Sequence, residues 1–246
     1  MDPSASRGGH SAPSADLPWR AVLLDWDNTL HDSATTHFAA LRRVLAEEGI
    51  PVVRSAYRLA YTTDYRTLYR RLGLPEERID AASRRWRALL ADERPRLLRG
   101  VGSALEALAR AGVPLALVTS GPRETVLPQL TALGLADRFA AVVYGEGQPA
   151  RPDPAPLREA LARLRSLEPT RPAAPGTFAY CSDTTDDMRM GRAAGVHAVG
   201  IASFAHDHVA LRDAGADETA PSVADWVGRW LEVPNRTARS AGEERR

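Results

Sequence analysis

Residues 21–24, Ala-Val-Leu-Leu, form an apolar run with no polar interruption. That pattern suits a strand covered on both faces, as in a parallel sheet. Similar runs recur at 113–118, 139–143, 177–181 and 197–201. Between them the period changes from continuous to helical. His37, Leu41, Val44 and Leu45 fall on one stripe of a helix over 35–48, which Gly49 stops. Residues 54–99 read as helical and arginine-rich, with a break at Gly73-Leu74-Pro75. Further helices are predicted over 103–110, 123–133, 156–167 and 185–194. Pro128 is expected to bend the second of these, and Gly195 to end the last. A loop is expected over 168–176, and no internal repeat is visible.

Strands alternating with helices predict an α/β chain with a Rossmann-like, doubly wound parallel sheet. The helical stretch after the first strand is too long for a simple crossover. It predicts a helical cap over 32–98, inserted into a core made of 18–31 and 99–233. Residues 1–17 and 234–246 are expected to be flexible tails. In such sheets ligands bind beyond the C-terminal ends of the strands. Asp25 and Asp27 follow the first strand, Thr119 and Ser120 the second, Arg151 the third, and Asp183 and Asp187 the fourth. Random turn chemistry would rarely gather so many polar groups at one edge.

Composition narrows the reading further. The formal net charge of +1 provides no global field for nucleic acid or membrane. The one cysteine, Cys181, excludes an internal disulfide and a cysteine-based zinc site. No apolar run approaches the roughly 20 residues of a membrane span, and the N-terminal segment lacks a secretory pattern. A cytoplasmic location is therefore expected. All 32 basic residues are arginine, which removes any mechanism that needs a lysine. Residues 54–99 hold twelve arginines against six acids. They make either a solvated helical surface or a field that attracts phosphorylated substrates.

The stretch L-L-D-W-D-N-T-L-H-D, residues 23–32, sets two carboxylates two positions apart at a strand end. Alone, it suits a turn as well as a site, because Asp and Asn side chains bond to nearby backbone. Likewise Thr119 could be a strand-end cap, and the acids of S-D-T-T-D-D at 182–187 could cap a helix. His37 could be a core or hinge residue.

Taken in order, D-W-D-N-T-L (25–30), L-V-T-S-G (117–121), R-P-D-P (151–154) and S-D-T-T-D-D (182–187) resemble the four motifs of the haloacid dehalogenase superfamily. The likeness is greatest to its phosphoglycolate phosphatase and beta-phosphoglucomutase branch, and it covers roughly residues 20–220. The resemblance implies a Mg²⁺-dependent phosphatase acting on a small phosphorylated metabolite. A phosphomutase, or an impaired binding protein of the same fold, is the alternative. It also implies Asp25 as nucleophile and metal ligand, and Asp27 as general acid and base with its carbonyl on the metal. Thr119 would bond the phosphoryl, helped by the amides of Asn28, Ser120 and Gly121. Asp183 would complete the metal shell, and Asp187 would contact the metal directly or through water. Having Asp27 resembles the phosphatases and not the dehalogenases. Arg151 stands where the family has lysine, and Asn28 where it usually has glycine. Asn is the next most tolerant residue where φ must be positive. The spacing of His37 resembles that of a substrate-holding histidine of the mutase. The resemblance assigns neither a substrate nor an oligomeric state.

Overall fold

The computed structural model describes residues 18–62, 64–90, 94–166 and 175–231. Its centre is a six-stranded sheet: β1 (Ala21–Leu24), β2 (Leu115–Val118), β3 (Ala141–Val143), β4 (Phe178–Ser182), β5 (His197–Ile201) and β6 (Glu218–Ala220). All pairs are parallel, in the order β3-β2-β1-β4-β5-β6. This is the doubly wound order expected from the sequence, and it reverses direction between β1 and β4.

Alternation along each strand divides the core into two layers. Val22 and Leu24 point to one side, with α5 (Val101–Arg110) and α10 (Val223–Gly228). Ala21 and Leu23 point to the other, with α7 (Ala155–Arg165) and Met190 of α8 (Thr185–Ala194). Trp26 continues the first phase past the strand end and is wholly buried. Its indole N–H donates to Gln129 Oε1 at 2.8 Å, and its ring stacks on His31. The tryptophan between the two acids is therefore a plug that fixes both.

Residues 54–99 resolve into three helices, α2 (Arg54–Ala60), α3 (Tyr65–Arg71) and α4 (Glu76–Leu90), so the helical reading ran too far at its C-terminal end. With α1 (Ala34–Glu47) they enclose a separate core around Leu45, Tyr69 and Ile79. Two backbone connections leading into and out of this unit run side by side. Leu98 N–H donates to Leu30 O and Asp32 N–H to Arg96 O, both at 2.8 Å. Pro128 lies inside α6 (Arg123–Ala132) without ending it. Gly195, at φ +73°, closes α8 as the C-terminal stop that its position suggested. Three elements escaped the sequence reading: α9 (His208–Asp213), β6 and α10. Each has six residues or fewer, too short for a period to show.

Candidate active site

The turn after β1 places Asp25 and Asp27 at the point where the strand order reverses. Asp25 N–H donates to Cys181 O of β4, so the carboxylate is fixed between the two central strands. The next turn is tight. Asn28 has φ +58°, the one non-glycine residue with positive φ among the described residues. A left-handed position tolerates asparagine better than most side chains. Ser33 Oγ donates to Asn28 Oδ1 at 3.2 Å and steadies it.

Asp183 follows β4, and Asp187 lies in the first turn of α8. Both are wholly buried, yet their surroundings are opposite. Asp187 accepts from Tyr180 Oη (2.8 Å), Ser182 Oγ (2.7 Å), Thr184 Oγ1 (2.5 Å) and Arg151 Nη1 (2.6 Å). Neither Asp183 oxygen has a hydrogen-bond partner of ordinary geometry. Burial first, and then the charges of Asp25 and Asp187, push its pKa well above the usual carboxylate range; Ser203 offsets little of this. A buried carboxylate without a donor is expensive, so Asp183 calls for a cation.

Arg151 reaches in from the loop after β3. Its Nη2 donates to Asp25 Oδ1 at 2.9 Å and to Val118 O at 3.1 Å. Its side chain is 5% exposed. Burial opposes the guanidinium charge, but Asp187, Tyr180 and Asp25 outweigh it and hold the group protonated. The loop is brought close by Gly145, where a Cβ would sit 2.2 Å from the Ser120 carbonyl. A single-atom side chain there would push the β2 and β3 loops apart.

The two acids of the first motif diverge. Burial raises the Asp25 pKa to about 7, with the Arg151 charge pulling the other way. At Asp27 burial also acts upward, but the His31 hydrogen bond and the His37 charge outweigh it and hold the group at about 2. His31 Nδ1 lies 3.2 Å and His37 Nε2 4.0 Å from Asp27 Oδ1.

Thr119 follows β2, and its Oγ1 accepts from Gly121 N–H at 3.0 Å, which leaves its own proton to donate. Two of the expected phosphate-binding amides have partners within their own turns. The Gly121 amide is engaged with Thr119, and the Asn28 amide donates to His31 O at 2.8 Å. Neither amide is free for a phosphoryl oxygen in this arrangement, because each closes its own turn. The Ser120 amide has no such bond among the described residues.

Asp25, Asp27, Ser120, Gly121, Arg151 and Asp183 line one pocket of about 720 Å³, whereas Thr119, Asp187 and Asn28 are not part of its lining. Among the described residues no three His, Cys, Asp or Glu side chains form a ready metal cluster. The guanidinium of Arg151 lies between Asp25 and Asp187, so those two do not converge.

Sequence reasoning missed several supporting groups. Tyr180 looked like an apolar strand residue, and only its register beside Arg151 exposes its hydroxyl's role. Thr184 and Ser182 were within the quoted motif but carried no assignment. Tyr61 follows the end of α2; its hydroxyl lies 3.5 Å from Asn28 Nδ2, and no local pattern marked it.

The chain is similar to known proteins in sequence and in fold. The family profile of haloacid dehalogenase-like hydrolases matches residues 22–201. The plasmid phosphoglycolate phosphatase of Cupriavidus necator is 33% identical over 193 residues, 74% of this chain and 80% of the relative. The phosphoglycolate phosphatase of Xanthomonas campestris pv. campestris is 32% identical over 194 residues, 73% of this chain and 81% of the relative. Among solved structures, CbbY from Rhodobacter sphaeroides in complex with phosphate aligns with a TM-score of 0.68 at 25% identity. That alignment covers 87% of this chain and 100% of CbbY.

Proposed function

The chain belongs to the haloacid dehalogenase-like hydrolases, and from that premise we propose that this phosphatase is a Mg²⁺-dependent phosphomonoester hydrolase working through an aspartyl-phosphate on Asp25. Its substrate is a small phosphorylated metabolite, and residues 32–98 act as the cap over the site. The observation that supports this most is the bare carboxylate of Asp183, wholly buried beside Asp25 where the strand order reverses.

The residues fit a divalent cation in part. Asp183 and Asp25 would supply hard oxygen donors, as Mg²⁺ requires, and the Asp27 carbonyl would be the third protein ligand. Asp187 is committed to four protein donors. It suits a role in holding Arg151, with any metal contact running through water. When bound, Mg²⁺ supplies the positive charge that lets an anionic nucleophile approach an anionic phosphoryl group.

The chain's own groups then divide the work. Asp25 attacks phosphorus and the ester oxygen leaves, taking its proton from Asp27. Asp27 next accepts a proton from the water that cleaves the aspartyl-phosphate. His31 and His37 keep Asp27 aimed and favour its ionised form, which serves the base step; for the acid step Asp27 first takes up a proton from solvent. Arg151 and the Thr119 hydroxyl stabilise the negative charge on the transferring oxygens. Arg151 can do this because burial strips water from it while two carboxylates hold it in place.

The test is a panel of phosphomonoesters assayed with Mg²⁺ and with excess EDTA. Phosphate release from at least one ester, lost in EDTA and restored by Mg²⁺, is expected. Full turnover in EDTA would refute the metal dependence, and no release from any ester would refute the phosphatase assignment for this site.

A further inference from the structure

The pocket extends well beyond the carboxylates. Its volume, about 720 Å³, lies within the ~300–1,000 Å³ of sites that engulf a drug-sized molecule. A phosphoryl group on a two-carbon acid would fill only its floor.

The walls are two helix faces. From the cap, α4 presents Ser83, Trp86, Arg87 and Leu90. Those positions are i, i+3, i+4 and i+7, one continuous stripe. From the core, α6 and the residue before it present Pro122, Val126, Pro128 and Ala132, with Glu124, Thr125 and Gln129 between them. Trp86 and Leu90 thus face an apolar part of the opposite wall across the cavity, with Arg87 as the charged member of the α4 face.

Trp86 is already satisfied at its polar end. Trp86 Nε1 donates to His37 O at 3.1 Å, and the indole meets the His37 ring edge-on at 5.1 Å. What remains to offer a ligand is the apolar body of the indole. Tyr57 and Tyr61 meet at 5.7 Å, and both are buttressed by Phe204 of the core, at 5.6 and 5.2 Å. These rings are thus fixed before any ligand arrives, which limits the entropy lost on binding. Planar ligands are held best by such fixed aromatic and apolar surfaces.

The geometry points to a substrate whose leaving group is a flat aromatic alcohol, seated between α4 and α6 with its phosphate at Asp25. This deepens the phosphatase reading and rests on it. The competing occupant is a small acid such as 2-phosphoglycolate, whose carboxylate could approach Arg87 or Arg94 at the pocket wall. Both arginines are exposed, so solvent screens them and they add little beside the apolar walls.

The test reads binding without turnover. Asp25→Asn protein in Mg²⁺ is titrated calorimetrically with 2-phenylethyl phosphate, propyl phosphate and 2-phosphoglycolate. The first two are primary alkyl esters, so they differ in body and little in phosphate chemistry. The phenylethyl ester is expected to bind at least about tenfold more tightly than the propyl ester, from the extra apolar area removed from water. Adding Trp86→Ala should erase that advantage. Trp86→Phe should keep most of it, which separates a lost aromatic surface from a damaged helix. Equal affinities for the two esters, or tightest binding of 2-phosphoglycolate, would overturn the inference. Failure of the phosphatase reading shows separately, as wild-type protein that releases phosphate from none of the three.

Discussion

Asp25, Asp183 and Arg151 enter the pocket floor from the ends of parallel strands, whereas Tyr61 and Trp86 enter its roof from helices with a hydrophobic core of their own. On the floor, positions are set by sheet register, and Asp25 and Arg151 are held by further partners as well. Arg151 alone touches Asp25, Asp187 and the Val118 carbonyl. In the roof, rings pack on rings, and the unit joins the core through two adjacent backbone connections. A floor built this way fixes charges to fractions of an ångström, as phosphoryl transfer needs. The two regions meet where Tyr61 approaches Asn28 and His37 approaches Asp27. In the proposed reaction the floor carries the chemistry and the roof the choice of substrate.

Three substitutions press on that division. Asp25→Asn should cost at least about 10³-fold in phosphate release, the scale seen when a covalent nucleophile is removed. The loss should be the same for every ester, with an unchanged circular dichroism spectrum. Activity within a few-fold of wild type would remove Asp25 from the nucleophile's place. Arg151→Ala comes next. A charged hydrogen bond contributes about 1.5–3 kcal/mol, and each ~1.4 kcal/mol is tenfold in rate. Loss of roughly ten- to a few-hundred-fold in kcat/KM is expected. The same change leaves Asp25 and Asp187 without their buried cation, so a drop in stability of about 3–5 kcal/mol in urea should accompany it. Arg151→Lys should lose less on both counts. An Arg151→Ala protein as active as wild type would mean that the guanidinium plays no part in handling phosphate.

Tyr61→Phe should be the mildest. It removes one roof hydroxyl, worth about 0.5–1.5 kcal/mol, so a loss of roughly two- to tenfold is expected. The effect should fall on KM and vary from ester to ester. A uniform fall in kcat across all esters would show that roof and floor are not separate.

The sequence carried the floor better than the roof, for a physical reason. Strand-end motifs are local. Asp25 and Asp27 stand two apart, Asp183 and Asp187 four apart, and parallel-sheet geometry forces both pairs to one edge. Asn28 could be read the same way, because a positive φ restricts which residues are tolerated, and the structure gives it φ +58°. The amides of Asn28 and Gly121 could not, since their partners depend on how each turn closes. Tyr180 reads as one more strand residue until its register against Asp187 and Arg151 is known. The roof was opaque for a different reason. Trp86, Tyr61 and Phe204 lie far apart in sequence, and no local pattern joins them. Short elements such as β6 and α10 left no period to detect.

The central claim is that Asp25 carries the phosphoryl group during turnover. Rapid acid quench of enzyme turning over its best panel ester in Mg²⁺, followed by peptide mass spectrometry, reads this directly. One added phosphoryl group is expected on the peptide containing Asp25, absent from Asp25→Asn protein and from samples quenched after the ester is exhausted. A phosphoryl group on any other residue, or rapid hydrolysis by Asp25→Asn protein, would contradict it.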